Sequence, residues 1–296
     1  MIGLVAGVEL GGTKCVCTLA SGPGDVRGRE VVPTTTPGDT LAGIDRVLAG
    51  WWATGGFDAL GIASFGPVDL DRRSPRWGYI TGSPKPGWQS IEIATRLGGR
   101  FDLPVAFDTD VNGAAMAEIA WGAGRGLADF AYVTVGTGVG VGLIVNGRPT
   151  RGLQHCELGH VRVARLPGDD WAGACPYHGD CVEGLAAGGS IAKRLGVEDA
   201  SCVAPEHPVW DNVAHALAQL CHVVVCAAAP RRIAMGGGVI AGRAHLLERI
   251  EARLRESLAG YLALPEKPLV IAPGLGDEAG PMGPIALALR AGRGRP

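Results

Sequence analysis

Twice in this chain a turn of glycine and threonine joins two apolar runs, and each time the pair leads into alternating helices and strands. The first copy is the run 2–8, then Glu9-Leu10-Gly11-Gly12-Thr13-Lys14, then the run 15–20. The second is the run 130–135, then Gly136-Thr137-Gly138, then the run 139–145. Short apolar runs bounded by turn residues read as strands, and a glycine-rich turn closes them as hairpins. A chain that starts the same pattern twice is confined to α/β units on a common plan, a structural repeat without an obvious sequence repeat.

After the first hairpin, a third strand near 27–33 follows the Gly22-Pro23-Gly24-Asp25 turn. A helix begins at about Thr40, with Leu41, Ile44, Val47 and Leu48 on one face. Strands at 60–64 and 105–107 come next, the latter ending at Asp108-Thr109-Asp110, and a helix of small residues covers 111–120. After the second hairpin, Asn146-Gly147 is a strong turn and 149–152 leads out. Then come a helix at 209–229, a strand at 233–235, Gly236-Gly237-Gly238, a helix at 243–258, a strand at 269–272 and a helix at 281–291. Residues 290–296 read as a frayed tail. The expected division is an N-terminal lobe, 1–115, and a C-terminal lobe, 116–280. The second lobe carries an inserted loop, 152–188, and the helix 281–291 packs back on the first.

With 47% hydrophobic and 19% charged residues, 296 residues can bury a sizeable core. A net charge of -2 without any Lys/Arg block argues against a nucleic-acid partner. Glu9 ends the first apolar run, and no basic segment precedes it, so neither a signal peptide nor a membrane span is expected. Eight cysteines in a chain of this length are not a disulfide framework, and a reduced, cytoplasmic setting follows. Cys15, Cys17, Cys221 and Cys226 read as core, and Cys202 has no evident role.

The chemistry concentrates in 157–183. His160 precedes Cys175-Pro176-Tyr177-His178-Gly179-Asp180-Cys181, and a glutamate, Glu157 or Glu183, stands at each end. His160, Cys175, His178 and Cys181 form a Cys2His2 set suited to tetrahedral zinc, and four protein ligands make the metal structural. Cys156 and His155 are competing ligands, His155 ranking below His160. The two Gly/Thr turns could grip a polyphosphate through backbone amides, with Lys14 adding charge. Gly236, Gly237 and Gly238 offer a base a surface free of side chains, or make a tight β–α turn. Asp110, at the carboxyl end of a strand, is a candidate general base or a helix N-cap, with Asp108 as the alternative base. Asn112 could hydrogen-bond a polyol, and Glu157 and Glu183 suit vicinal hydroxyls. His160 could hold zinc with one nitrogen and donate from the other.

Glu9-Leu-Gly-Gly-Thr-Lys14, Phe65-Gly-Pro-Val-Asp69, Asp110-Val-Asn112, Thr137-Gly-Val-Gly140, Glu157-Leu-Gly-His160, the Cys175/His178/Cys181 knot and Gly236-Gly-Gly238 occur in order along the chain. Together they resemble the ROK family of bacterial sugar kinases (repressor, open reading frame, kinase). The resemblance implies an α/β chain with an actin-like ATPase fold, two ribonuclease-H-like lobes closing over ATP and a hexose. It makes Asp110 the catalytic base and gives Gly66, Pro67, Asn112, Glu157, His160 and Glu183 to the sugar. Gly11, Gly12, Thr13, Lys14, Thr137 and Gly138 would bind phosphates, and Gly236, Gly237 and Gly238 adenosine. Mg2+ on the ATP phosphates would be helped by Glu9, and a homodimer is implied.

Most members carry Asp where this chain has Glu9, and Cys where it has His178. Both departures, with Pro84-Lys85-Pro86-Gly87-Trp88, resemble the fructokinase branch. D-fructose phosphorylated at its 6-hydroxyl is therefore expected, with a glucokinase, mannokinase or N-acetylmannosamine kinase as alternatives. A silent sugar-binding regulator is disfavoured by retention of Asp110 and both phosphate turns. There is no room before the first strand for a helix-turn-helix domain, which disfavours a repressor.

Overall fold

In the computed structural model, which describes residues 3–294, the chain forms two α/β units. The first comprises the described residues up to Arg125, Pro149–His155, and the chain from Asp277 onward. The second comprises Gly126–Arg148 and Cys156–Gly276.

The first unit runs β1 (Val5–Leu10), β2 (Lys14–Gly22), β3 (Asp25–Pro33), α1 (Pro37–Thr54), β4 (Leu60–Ser64), β5 (Tyr79–Ile80), β6 (Ile91–Glu92), α2 (Ala94–Gly98), β7 (Val105–Thr109) and α3 (Asp110–Trp121). Its sheet has the order β3-β2-β1-β4-β7, and β5 and β6 pair separately. The hairpin strands are antiparallel, whereas β1, β4 and β7 are parallel. The second unit runs β8 (Phe130–Val135), β9 (Val139–Val145), β10 (Arg148–Pro149), α4 (Val182–Ala186), α5 (Gly188–Leu195), α6 (Val209–Ala228), β11 (Ile233–Gly236), α7 (Ala244–Leu258) and β12 (Val270–Ile271). Its order, β10-β9-β8-β11-β12, repeats the first plan strand for strand. The last helix, α8 (Ala279–Gly292), belongs to the first unit.

Burial explains which run became which strand. All five residues of β4 are buried, as a strand covered on both faces demands, whereas the edge strand β3 leaves Val26 and Val31 exposed. Helix α3 is buried from Val111 to Glu118, mostly small or apolar residues with Asn112 and Glu118 among them, and packs on α8. Helix α8 also lies against β1 and β4, so closely that a side chain at Gly61 would run into the Pro284 carbonyl. The core of the second unit centres on α6, where Trp210, Val213, Leu217, Leu220 and Val224 are fully buried. At about 1.5–3 kcal/mol for each large apolar side chain removed from water, such helices hold each unit together.

Several expectations need correction. The boundary at 115/116 falls inside α3, and the chain changes unit at Arg125/Gly126, because α3 is bound to α8 along its length. Residues 149–155, expected in the second lobe, return to the first unit. Strand β1 starts at Val5 and runs past Glu9 to Leu10; Ile2 lies outside the described residues. Helix α1 starts at Pro37, three residues early, because the Thr36 hydroxyl accepts the Asp39 N–H at 3.2 Å and Pro37 suits the first turn. The expected frayed tail is helical to Gly292, while Arg295 and Pro296 lie outside the described residues. Cys15, Cys17 and Cys221 are buried as expected, but Cys226 is exposed near the end of α6. No helix among the described residues is long and apolar enough to cross a membrane.

Candidate active site

In the first unit, the candidate residues gather at the carboxyl ends of three neighbouring parallel strands. Leu10 pairs with Ser64 and Ser64 with Thr109, so the segments that follow β1, β4 and β7 start side by side. These are the Gly11 turn, Gly66-Pro67 and Asp110, the place where open α/β sheets bind ligands. Thr109, not Asp110, caps α3, its hydroxyl accepting the Asn112 N–H at 3.2 Å. Asp110 is thereby freed from the cap, and its Oδ1 accepts the adjacent Val111 N–H at 2.8 Å. Burial pushes its pKa up to about 6, against the pull of the backbone hydrogen bonds. Glu9, half-buried near the end of β1, is pushed up to about 7, first by burial and then by the negative charge of Asp110. Lys14 and Arg29 pull the other way. The Glu9 carboxylate lies against the first turn of α8, where a side chain at Gly280 would strike it. Two coupled carboxylates, both reluctant to ionise, suit a proton acceptor or a hard divalent cation.

The alternative base, Asp108, is spoken for. It is 2% exposed, its Oδ1 accepts from Thr109 N and Asn112 Nδ2, each at 2.8 Å, and its Oδ2 is paired with Arg151. Both of its oxygens are thus engaged by neighbours within the first unit.

The 11–14 turn is exposed but braced from below. Gly11 donates to Lys14 O at 3.1 Å, and the Thr34 hydroxyl donates to Gly11 O at 2.8 Å. Lys85 Nζ donates to Gly12 O at 2.7 Å. Trp88, fully buried, anchors that segment by donating from Nε1 to Thr35 O at 3.0 Å. The Pro-Lys-Pro-Gly-Trp motif, read in the sequence only as a branch marker, thus supports the 11–14 turn and brings it a second lysine.

In the second unit, His160, Cys175, His178 and Cys181 present ligand atoms that all lie within 4.8 Å of one another. His160 Nδ1 is 3.7 Å from Cys175 Sγ and 3.6 Å from Cys181 Sγ, and Cys175 Sγ is 3.8 Å from His178 Nδ1. Metal–ligand bonds of about 2.0–2.3 Å give tetrahedral edges of about 3.3–3.8 Å, so the set fits one tetrahedral ion. Cys175 and Gly179 form a two-way backbone bridge at 3.0–3.1 Å that presents His178, and Cys181 caps α4. Ion pairs also brace the loop, Arg165 and Arg194 with Asp169, and Arg165 with Asp180. Burial pushes the Cys181 thiol up to about 11, so a cation is what would make it a thiolate. His155 and Cys156 are not part of the set; His155 bonds to Val68 N in the first unit at 3.0 Å.

The Cys/His cluster is linked to the second Gly/Thr turn. With Nδ1 facing the sulfurs, His160 points Nε2 at Glu183 Oε1, 3.9 Å away. Glu183 Oε2 accepts the Val139 N–H at 3.1 Å, just after Gly138, where any side chain would meet that same oxygen. Glu157 is exposed, and its carbonyl accepts from His160 N at 3.0 Å. Thr137 is exposed at the tip of the hairpin. Gly136 is bonded from below by Gly188 N at 2.8 Å, and Gly238 N lies beside it. Gly237 has φ +92° and no room for a side chain against Val135 O, whereas Gly238 has open space around it. The turns after β8 and β11 therefore lie together, as do those of the first unit.

Sequence reasoning missed Lys85, Arg151 and His155 as parts of these arrangements, since each acts on a residue more than forty positions away. The motif around Lys85 was the only local signal of the three.

A model of the ROK family matches residues 5–291. The chain is 40% identical over 286 residues to a fructokinase of Pediococcus pentosaceus, covering 96% of this chain and 97% of that protein. It is 42% identical over 292 residues to a fructokinase of Zymomonas mobilis subsp. mobilis, covering 96% of each. The solved structure of a ROK family glucokinase from Streptomyces griseus in complex with glucose and AMPPNP is 25% identical, with a TM-score of 0.72 over 97% of this chain and 100% of that one.

Proposed function

Since the chain belongs to the ROK family, we propose that it is an ATP-dependent hexose kinase that converts D-fructose to fructose 6-phosphate. The observation that carries this reading is identity of 40% or more, over nearly the whole length, to two fructokinases.

A primary alcohol is a weak nucleophile at neutral pH, and phosphoryl transfer is accelerated mainly by positioning and charge neutralisation. Asp110 takes the proton of the 6-hydroxyl. With a pKa of about 6 it is mostly ionised at pH 7, yet more basic than an ordinary aspartate. Asn112 donates from Nδ2 to Asp108, which leaves its Oδ1 to accept from a sugar hydroxyl. Gly66 and Pro67 line the sugar, and Glu157, His160 and Glu183 hold its hydroxyls. The turns 11–14 and 136–138 hold phosphates through backbone amides, the threonine hydroxyls and Lys14, and 236–238 receives adenosine. Glu9, directly or through water, would hold Mg2+, which when bound neutralises the ATP phosphates. His160, Cys175, His178 and Cys181 would hold structural Zn2+, fixing the wall that carries His160 and Glu183. A homodimer, which the family resemblance implies, and a reduced cytoplasmic setting, which the cysteine usage implies, complete the reading.

The test is a coupled ADP-release assay with MgATP over fructose, glucose, mannose and N-acetylmannosamine. Fructose should give the highest kcat/KM. ADP release that no sugar stimulates would overturn the kinase reading, and a clear preference for another hexose would overturn the substrate.

A further inference from the structure

The segment Pro149–His155 leaves the second unit, returns to the first and then re-enters the second at Cys156. It is closed on itself by a bridge between Arg151 and His155 and by Gly152 N donating to Gln154 O at 3.1 Å. Its tip is in solvent, with Leu153 fully exposed, so the loop buries little apolar surface of its own. What it sends inward is the pair of side chains at its two ends. Arg151 pairs with the buried Asp108, and His155, 7% exposed, reaches Gly66-Pro67-Val68.

Each arm fixes one element of the first unit's site. Asp108 accepts from Asn112 Nδ2, and an ionised carboxylate only accepts, so the amide of Asn112 is locked with its oxygen turned away from Asp108. Arg151 pairs with the other oxygen of this buried carboxylate and holds it in place. On the other arm, His155 Nε2 accepts the Val68 N–H at 3.0 Å, which requires the tautomer with its proton on Nδ1. The same ring packs so closely on Gly66 that a Cβ there would sit 3.3 Å from Cε1. We infer that Arg151 and His155 are positioning residues for the sugar, a two-armed clasp that sets Asn112 from one end and Gly66-Pro67-Val68 from the other. This rests on the hexose site proposed above; neither residue is assigned contact with the sugar.

The measurement is steady-state kinetics of the full-length protein with fructose and MgATP, with unfolding temperature as a control for folding. Arg151→Ala and His155→Leu should each raise KM for fructose by about tenfold or more, as expected when a hydrogen-bonding group is misplaced. KM for ATP should stay within about twofold. Arg151→Lys, which keeps the countercharge, and His155→Gln, whose amide oxygen can accept the Val68 N–H, should recover most of the loss. A merely structural role would lower the unfolding temperature and the yield of active protein while leaving KM for fructose alone. An unchanged KM for fructose in either folded variant overturns the clasp, as does a failure of either conservative variant to restore it. Should Arg151→Ala or His155→Leu not fold, Arg151→Lys and His155→Gln still decide, because the clasp requires near-normal KM values from both. A wild type without sugar-dependent ADP release overturns the hexose-kinase reading itself. If the wild type prefers another hexose, the same KM comparison is made with that sugar.

Discussion

Replacing Asp110 by asparagine should make the protein more stable at neutral pH while removing its turnover. Burial raises the Asp110 pKa from 3.8 to about 6. The folded state therefore holds the proton more tightly than the unfolded chain does. Its stabilising effect is complete below about pH 4 and is lost as pH rises through about 6. A shift of about 2 units corresponds to about 3 kcal/mol that the ionised group costs above pH 6. Asparagine is neutral throughout and can still accept the Val111 N–H through Oδ1. Removing this charge also removes one of the causes that raise Glu9. At about 2.1 cal/mol/K per residue, a chain of 296 residues loses about 0.6 kcal/mol per degree near its midpoint, so the gain is worth about 5 °C. Thermal unfolding of both proteins in magnesium-free buffer from pH 4 to pH 8 measures it. The variant should unfold about 5 °C higher at pH 8, with the gap closing toward pH 4. A gap that is absent or does not vary with pH would refute the account of Asp110 as a desolvated, ionised base. Turnover of the variant should fall by about 10²–10⁴.

Three other outcomes follow from the same geometry. Wild-type kcat/KM for fructose should decline below about pH 6 as Asp110 takes up its proton, and a flat profile to pH 5 would count against that role. Cys181→Ser should purify without bound zinc, as read by elemental analysis, with faster proteolysis within 164–180 and weaker sugar binding; full sugar affinity without zinc would separate the metal from the sugar wall. Gly237→Ala, at φ +92° and against Val135 O, should cost about 1–3 kcal/mol of stability. Gly238→Ala, with open space around it, should leave stability unchanged and raise KM for ATP, which unfolding and kinetic measurements on the two variants would check side by side.

The parts of the molecule that could be read in the sequence are those governed by neighbours along the chain. Both hairpins declare themselves because apolar runs flank Gly11-Gly12 and Gly136-Thr137-Gly138. The Cys/His cluster is legible because three of its four members lie within seven residues. The capping role of Thr109 was hidden because Asp110, one residue later, is an equally good cap by type. The bond from Val139 N to Glu183 spans 44 residues, and that from Val68 N to His155 spans 87, so no local pattern encodes them. For the same reason the return of 149–155 to the first unit could not be anticipated. Its anchors are two side chains, not an apolar stripe. Cys226 was read as core from its apolar neighbours, but a helix needs only one face buried, and this residue lies on the other.

Because α8 belongs to the first unit, that unit is the first to be started and the last to be finished. When residue 125 has been made, β1, β4 and α3 exist without the helix that covers them, and about 150 residues must still be added before it appears. At about 5–20 residues per second that interval lasts roughly eight to thirty seconds on the ribosome. The surface left bare includes the glycine-lined bed at Gly61 and the apolar α3, a template for misassociation that the second unit, complete by residue 276, does not present. Recovery of soluble protein should therefore depend on chaperone supply during synthesis more than on the stability of the finished fold, and an amino-terminal fragment ending at 125 should aggregate rather than fold.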